Sequence, residues 1–101
     1  MSVIKITSEN YENEVLKSEK KVLIGFWADW CGPCRMLSPI VDEVAEENDT
    51  IKVCKVNVDE ESALAQKFGV VSIPMLVVME DGEIINSSVG LIPKAKILEL
   101  L

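Results

Sequence analysis

Histidine is absent from this 101-residue chain. Imidazole catalysis is therefore excluded, and between about pH 5 and 8 only shifted cysteines, shifted carboxylates and the α-amino group can titrate. Cysteine is scarce: Cys31, Cys34 and Cys54 are too few for a disulfide framework, and an odd count points to reduced thiols available for chemistry. Basic side chains are outnumbered, 10 against 17 acidic ones, which leaves a formal net charge of -7. That charge repels phosphate backbones and anionic membranes, and the basic residues form no cluster, so neither nucleic acid nor a membrane is expected as a partner. No apolar run approaches the roughly 20 residues that span a bilayer. The segment Met1-Ser2-Val3-Ile4-Lys5 lacks the basic head and apolar core of a signal peptide, so a cytoplasmic protein is expected. Repeats, low-complexity tracts and Gly/Ser/Pro linkers are missing too. Residues 1–101 are expected to form a single domain, and 49% hydrophobic residues suffice to bury a core without a structural metal.

Two segments read as interior strands. Val22-Leu23-Ile24-Gly25-Phe26-Trp27-Ala28 is continuously apolar, as a strand covered on both faces must be, and Ile51 to Val58 resembles it with β-branched enrichment. Between them, Leu37, Ile40, Val41 and Val44 recur at helical spacing, with Asp42, Glu43, Glu46 and Glu47 in the other positions and Pro39 expected to kink the axis. A second helix is expected with Asp59 as N-cap, Leu64 and Phe68 one turn apart, and Gly69 as its stop. Stretches 75–79 and 84–89 flank Asp81-Gly82, a pair suited to a tight hairpin, so the last two strands are antiparallel and the sheet is mixed. Positions 2–6 predict an edge strand, 10–17 a short helix and 93–101 a final helix. The order βαβαβαββα predicts an α/β fold, a mixed central sheet with helices on both faces. Ligand chemistry then belongs beyond the C-terminal ends of the parallel strands, where residues 29–34 fall.

Trp30-Cys31-Gly32-Pro33-Cys34 lies where a buried strand gives way to a helix. A Cys-x-x-Cys in that context reads as a redox dithiol. Cys31 at the helix start faces unsatisfied N–H groups and the positive dipole end, which favour thiolate and make it the candidate nucleophile. Pro33 fits the first turn because its missing N–H has no helical partner to lose, and Gly32 leaves the approach to the sulfur open. Cys34, three residues on, shares the helical face and is the candidate resolving thiol. A purely structural bridge is disfavoured, because so short a ring is worth only about 2 kcal/mol in the loop-closure model. The bland alternatives are half of a zinc or iron–sulfur site, or two unreactive thiols. Zinc needs four ligands, and only Cys54 remains beyond the pair, so no metal and no cofactor are expected. Arg35 adds positive charge beside the pair and Asp29 opposes it; neither is assigned a catalytic role. Cys54, between Val53 and Lys55 in mid-strand, reads as a small buried hydrophobe.

Over essentially its whole length the sequence is similar to the thioredoxin family. The likeness covers Phe26-Trp27-Ala28, the 30–34 motif, Pro39, Lys55, Asp59, Phe68-Gly69-Val70, Ile73-Pro74, Gly82 and Gly90, in family order and spacing. The resemblance implies the thioredoxin fold and a monomeric oxidoreductase that reduces protein disulfides through a redox-active Cys31–Cys34 pair. Its partners would be disulfide-containing proteins and a thioredoxin reductase that re-reduces it. It also implies a cis peptide before Pro74, with the Ile73 backbone opposite Cys31 and a docking surface of Trp30, Ile73, Pro74, Val89 and Gly90. Gly32, Pro33 and Lys55 would support the active site. Core packing is the competing reading for Trp30, while Trp27, within the apolar run, is expected in the core. A redox-inert binding module of the same fold is the competing function, and the intact cysteine pair argues against it. The same fold can also run as a net oxidant or isomerase, but the Gly32-Pro33 dipeptide resembles the reducing branch.

Two positions depart from the family pattern. Gly25 stands where a buried aspartate is usual beneath the resolving cysteine, and Met75 where threonine commonly follows the cis proline. The usual base for the resolving thiol is thus missing, Lys55 loses its usual acidic neighbour, and Cys34 is expected to ionise to water or to a carboxylate elsewhere.

Overall fold

In the computed structural model, which describes residues 3–101, the apolar run after Lys20 becomes strand β2 (Lys21–Trp27). Its alternation decides what packs where. Val22, Ile24 and Phe26 point to one face and join Tyr11, Val15, Leu64 and the edge of Phe68. Leu23 points to the other and joins Leu37, Val41, Val44 and Ile97. Helix α1 (Gly32–Glu47) and helix α3 (Lys94–Leu100) therefore cover one face. Helix α2 (Ser62–Lys67) and a single π-helical turn (Glu12–Leu16) cover the other. Helices on both faces of a mixed sheet were expected and are found.

The sheet also contains β1 (Val3–Lys5), β3 (Ile51–Asn57), β4 (Met75–Glu80) and β5 (Glu83–Val89), in spatial order β1-β3-β2-β4-β5. β1, β3 and β2 are parallel, and β4–β5 is the expected antiparallel hairpin with Asp81 and Gly82 both at positive φ. The reversal begins one strand earlier than the hairpin, because β4 already runs against β2, with Met75 opposite Phe26. The connection through α2 brings the chain back into the sheet at the end where β3 left it, so β4 runs back along β2. Of the expected edge strand, Ser2 lies outside the described residues, and Ile6 extends the pairing through its N–H to the Lys55 carbonyl at 2.9 Å.

Two local expectations change. Asp59 is not the N-cap of α2; Glu61 occupies that position without a side-chain cap. Asn57 instead organises the turn, its Oδ1 accepting from the N–H groups of Asp59 at 2.9 Å and Glu60 at 3.2 Å. The carboxylate of Asp59 is left for a partner elsewhere. The stop at Gly69 is found: at φ 67°, its N–H reaches Gln66 and that of Val70 reaches Ala65, closing the last turn from both sides.

Candidate active site

β2 ends beneath a turn formed by Ala28, Asp29 and Trp30, and Cys31 follows as the N-cap of α1 with extended backbone (φ -90°, ψ 108°). Gly32 and Pro33 open the first turn, where Pro33 brings no N–H, and the first-turn donor aimed at the sulfur is that of Cys34. Its N–H points at Cys31 Sγ over 3.2 Å. The two Cα atoms are 5.3 Å apart and the sulfurs are joined as a disulfide. A sulfur that already accepts a helix N-terminal N–H is placed to hold negative charge. The two cysteines are equally shielded, 4% and 5% exposed. What separates them is direction: Cys31 caps the helix, while Cys34 lines a cavity of about 290 Å³ behind it. Gly32 is exposed, and a Cβ there would meet nothing within 4 Å, so the approach over it is open.

The Ile73–Pro74 peptide is cis. Ile73 packs against the cluster of Ala28, Cys31 and Cys34. Pro74 accepts from the Gly90 N–H at 2.8 Å, and Val89 pairs with Met75, so the far side of the rim is tied to the cis proline. Trp30 is 66% exposed, which decides against core packing. Its indole N–H donates to Asp59 Oδ2 at 2.9 Å, the partner Asp59 finds in place of a helix end. Trp27, expected in the core, is only half-buried: it packs beside the cysteine cluster, its Nε1 is shielded without a hydrogen-bond partner, and Lys55 Nζ lies 5.2 Å from its ring centroid.

Lys55 sits directly across from Gly25 in the β2–β3 register, and Leu76 flanks Gly25 from β4. All three line the cavity with Cys34. No acidic side chain pairs with Lys55 among the described residues, in contrast to Lys52, which holds Glu14 at 3.1 Å. Gly25 leaves real room: an added Cβ would stand 3.6 Å from Leu76 Cδ2 and 4.0 Å from the Cys54 carbonyl, ordinary contacts. Arg35 donates to the Asp29 backbone carbonyl at 2.7 Å. Cys54 is fully buried, and burial pushes its thiol up to about 12.

Three exposed apolar side chains were not foreseen, Met36, Val71 and Leu91; of these Val71 lines a shallow groove with Trp30 and Ile73. Met36 carried a signal, since it falls off the buried stripe of Leu37, Val41 and Val44. Val71 and Leu91 are loop residues with no period to break. The Asp59–Trp30 bond, which spans 29 positions, had no local signature at all.

The thioredoxin family model matches residues 2–101 of the chain. The chain is 43% identical to a thioredoxin of Pyropia yezoensis, across 100% of this chain and 95% of that protein. It is 46% identical to a thioredoxin of Streptomyces clavuligerus, across 92% and 87%. With a thioredoxin of Bacillus subtilis (strain 168) the identity is 44%, across 100% and 96%.

Proposed function

The chain belongs to the thioredoxin family and is a thiol-disulfide oxidoreductase, a protein-disulfide reductase; from that premise we propose how its residues divide the work. Cys31, as thiolate, attacks one sulfur of a substrate disulfide, and the other substrate sulfur leaves as a thiolate that takes up a proton. Cys34, once deprotonated, attacks Cys31; the mixed disulfide breaks, the second substrate sulfur leaves with its electron pair, and Cys31–Cys34 is oxidised. The observation that carries this order is the 3.2 Å contact from the Cys34 N–H to Cys31 Sγ. It puts a backbone donor at a helix N-terminus on the sulfur that must be anionic first.

Gly32 and Pro33 keep the turn short and open. Trp30, Ile73, Pro74, Val89 and Gly90 form the docking surface, where the Ile73 backbone pairs with an extended substrate segment, a mode tolerant of many side chains. Lys55 supports the site from beneath. A thioredoxin reductase returns two electrons to the disulfide. We read residues 1–101 as one domain, which the single five-stranded sheet supports. We further read the protein as a cytoplasmic monomer without nucleic-acid or membrane partners; no described helix is long and apolar enough to cross a membrane.

Insulin precipitation driven by dithiothreitol tests the reading. The intact protein accelerates it; Cys31→Ser abolishes the acceleration, and Cys34→Ser abolishes turnover while trapping substrate as a mixed disulfide. A folded protein without any acceleration overturns the assignment, as does a Cys31→Ser variant that still turns over.

A further inference from the structure

Cys34 is hidden from the face where Cys31 meets its partners, yet it is not enclosed. Cys34 lines the cavity of about 290 Å³ and Cys31 does not. The inner wall of that space is buried and apolar, formed by Leu37 from α1 and Leu76 from β4, while Gly25 on β2 adds no side chain to it. Four other lining residues, Asp29, Arg35, Ser38 and Asp42, are all exposed, so the cavity opens to solvent along α1. Charge at this mouth is balanced, Arg35 and Lys55 against Asp29 and Asp42, which favours a ligand of neither sign. The space stands at the small end of ligand pockets. It admits a molecule as large as a few waters, at roughly 30 Å³ each, and excludes a helix about 10 Å across. The approach to Cys31 is a different one, over exposed Gly32.

We propose that this cavity is a rear entrance through which small uncharged electrophiles, the α,β-unsaturated amides and carbonyls, reach Cys34 while a substrate occupies Cys31. The Cys34 thiol gives its proton to water, and the thiolate adds to the terminal alkene carbon to form an S–C bond. The π pair moves to the neighbouring carbon, which takes a proton from water. In sum S–H adds across the double bond, and nothing is oxidised or reduced. Apolar walls suit an uncharged molecule, since a charged one would lose its hydration there. The adduct has no thiolate with which to attack Cys31, so a mixed disulfide formed in front stays unresolved, and modification from behind halts the enzyme with its substrate attached. That consequence rests on Cys34 being the resolving thiol; the entrance does not.

The test starts from the reduced chain with Cys31 capped by one equivalent of iodoacetamide in place of a substrate. Acrylamide or fluorescein-5-maleimide is then offered, and peptide mass mapping follows the label on Cys34. Each rate is divided by that of glutathione with the same reagent at the same pH, which removes intrinsic reactivity. Both reagents draw on one thiolate population, so the ratio of the two normalised rates reports access alone. Acrylamide should lead by at least about tenfold, because the bulky reagent must wait for local opening. Ser38→Trp enlarges an exposed side chain at the mouth and Gly25→Val fills the inner wall; each should lower the ratio at least about threefold, since acrylamide must then wait for the same opening. Circular dichroism checks the fold of both, and Ser38→Trp decides alone if Gly25→Val does not fold. A ratio near one in the unaltered chain overturns the proposal, as does an unchanged ratio in the folded variants. A Cys34→Ser protein that still turns insulin over overturns the resolving role and leaves the entrance standing.

Discussion

Cys34 and Cys54 are almost equally hidden, 5% and 0% exposed, yet they occupy opposite chemical situations. Cys54 sits in mid-strand, registered between Ile4 and Ile24 and packed into the apolar cluster on the α2 face. Lys52 offsets only part of what a thiolate would cost there, and burial, reinforced by Glu14, holds the thiol neutral. Cys34 has a wall of the same kind on one side only; on the other it opens on a cavity that Lys55 also lines, and it is joined to the sulfur of Cys31. Burial alone therefore does not set a thiol's reactivity. What lies on its open side does.

The contrast can be broken at several strengths. The largest effect belongs to alkylation of the reduced protein by iodoacetamide at neutral pH: Cys31 should react at least about 100-fold faster than Cys54, whose thiolate fraction is negligible. Peptide mass mapping over time reads both rates, and comparable rates would erase the contrast. Next comes alkaline stability. The Cys54 pKa is raised from 9.0 to about 12 in the folded state, so above about pH 9 the unfolded chain releases this proton first. Stability is unaffected below that pH and falls by up to about 1.4 kcal/mol per pH unit as pH rises towards 12. Denaturant unfolding at several pH values should show that slope, and Cys54→Ala should reduce it most between about pH 9 and 10, before Tyr11, whose hydroxyl burial also pushes up, begins to contribute in the same direction, while leaving insulin reduction within about twofold.

A smaller effect is expected at the docking rim. Asp59→Ala removes the acceptor of the Trp30 indole, with a loss on the order of 1 kcal/mol of local order. In a steady-state assay KM should rise about two- to threefold with kcat unchanged, whereas a fall in kcat alone would place Asp59 in the chemistry instead. The smallest is Gly25→Ala. Its Cβ would make ordinary contact with Leu76 at 3.6 Å, so thermal unfolding should register a gain of about 0.5–1 kcal/mol from the stiffer strand. A net loss would show that the space behind Cys34 is filled by something the methyl group displaces.

Much of the architecture was legible because it rests on local repeats. The unbroken apolar run at 22–26 requires cover on both faces, Leu37, Val41 and Val44 trace one helical stripe, and Asp81-Gly82 supplies the positive φ values of a hairpin. Asp59 was misread for the converse reason. A carboxylate just before a helix resembles a cap, and only the arrival of Trp30 shows that its partner is distant. The strand reversal at β4 depended on which end of the sheet the connection at 58–74 re-enters, which no local pattern states. Trp27 looked like core because composition cannot tell which end of a strand runs out at the edge of a site.

By itself the sequence determined that two thiols sit three residues apart at the start of a helix, with a proline in the first turn and a buried strand before it. Those relations hold within a dozen residues, where spacing and steric rules leave few choices. The resemblance implied that Gly25 lies beneath Cys34 and beside Lys55, but only the tertiary structure decided that the missing side chain leaves a cavity there, lined by both residues and closed by Leu76. Three elements far apart in the chain converge there, and side chains at such separations meet only once sheet register and helix packing are complete.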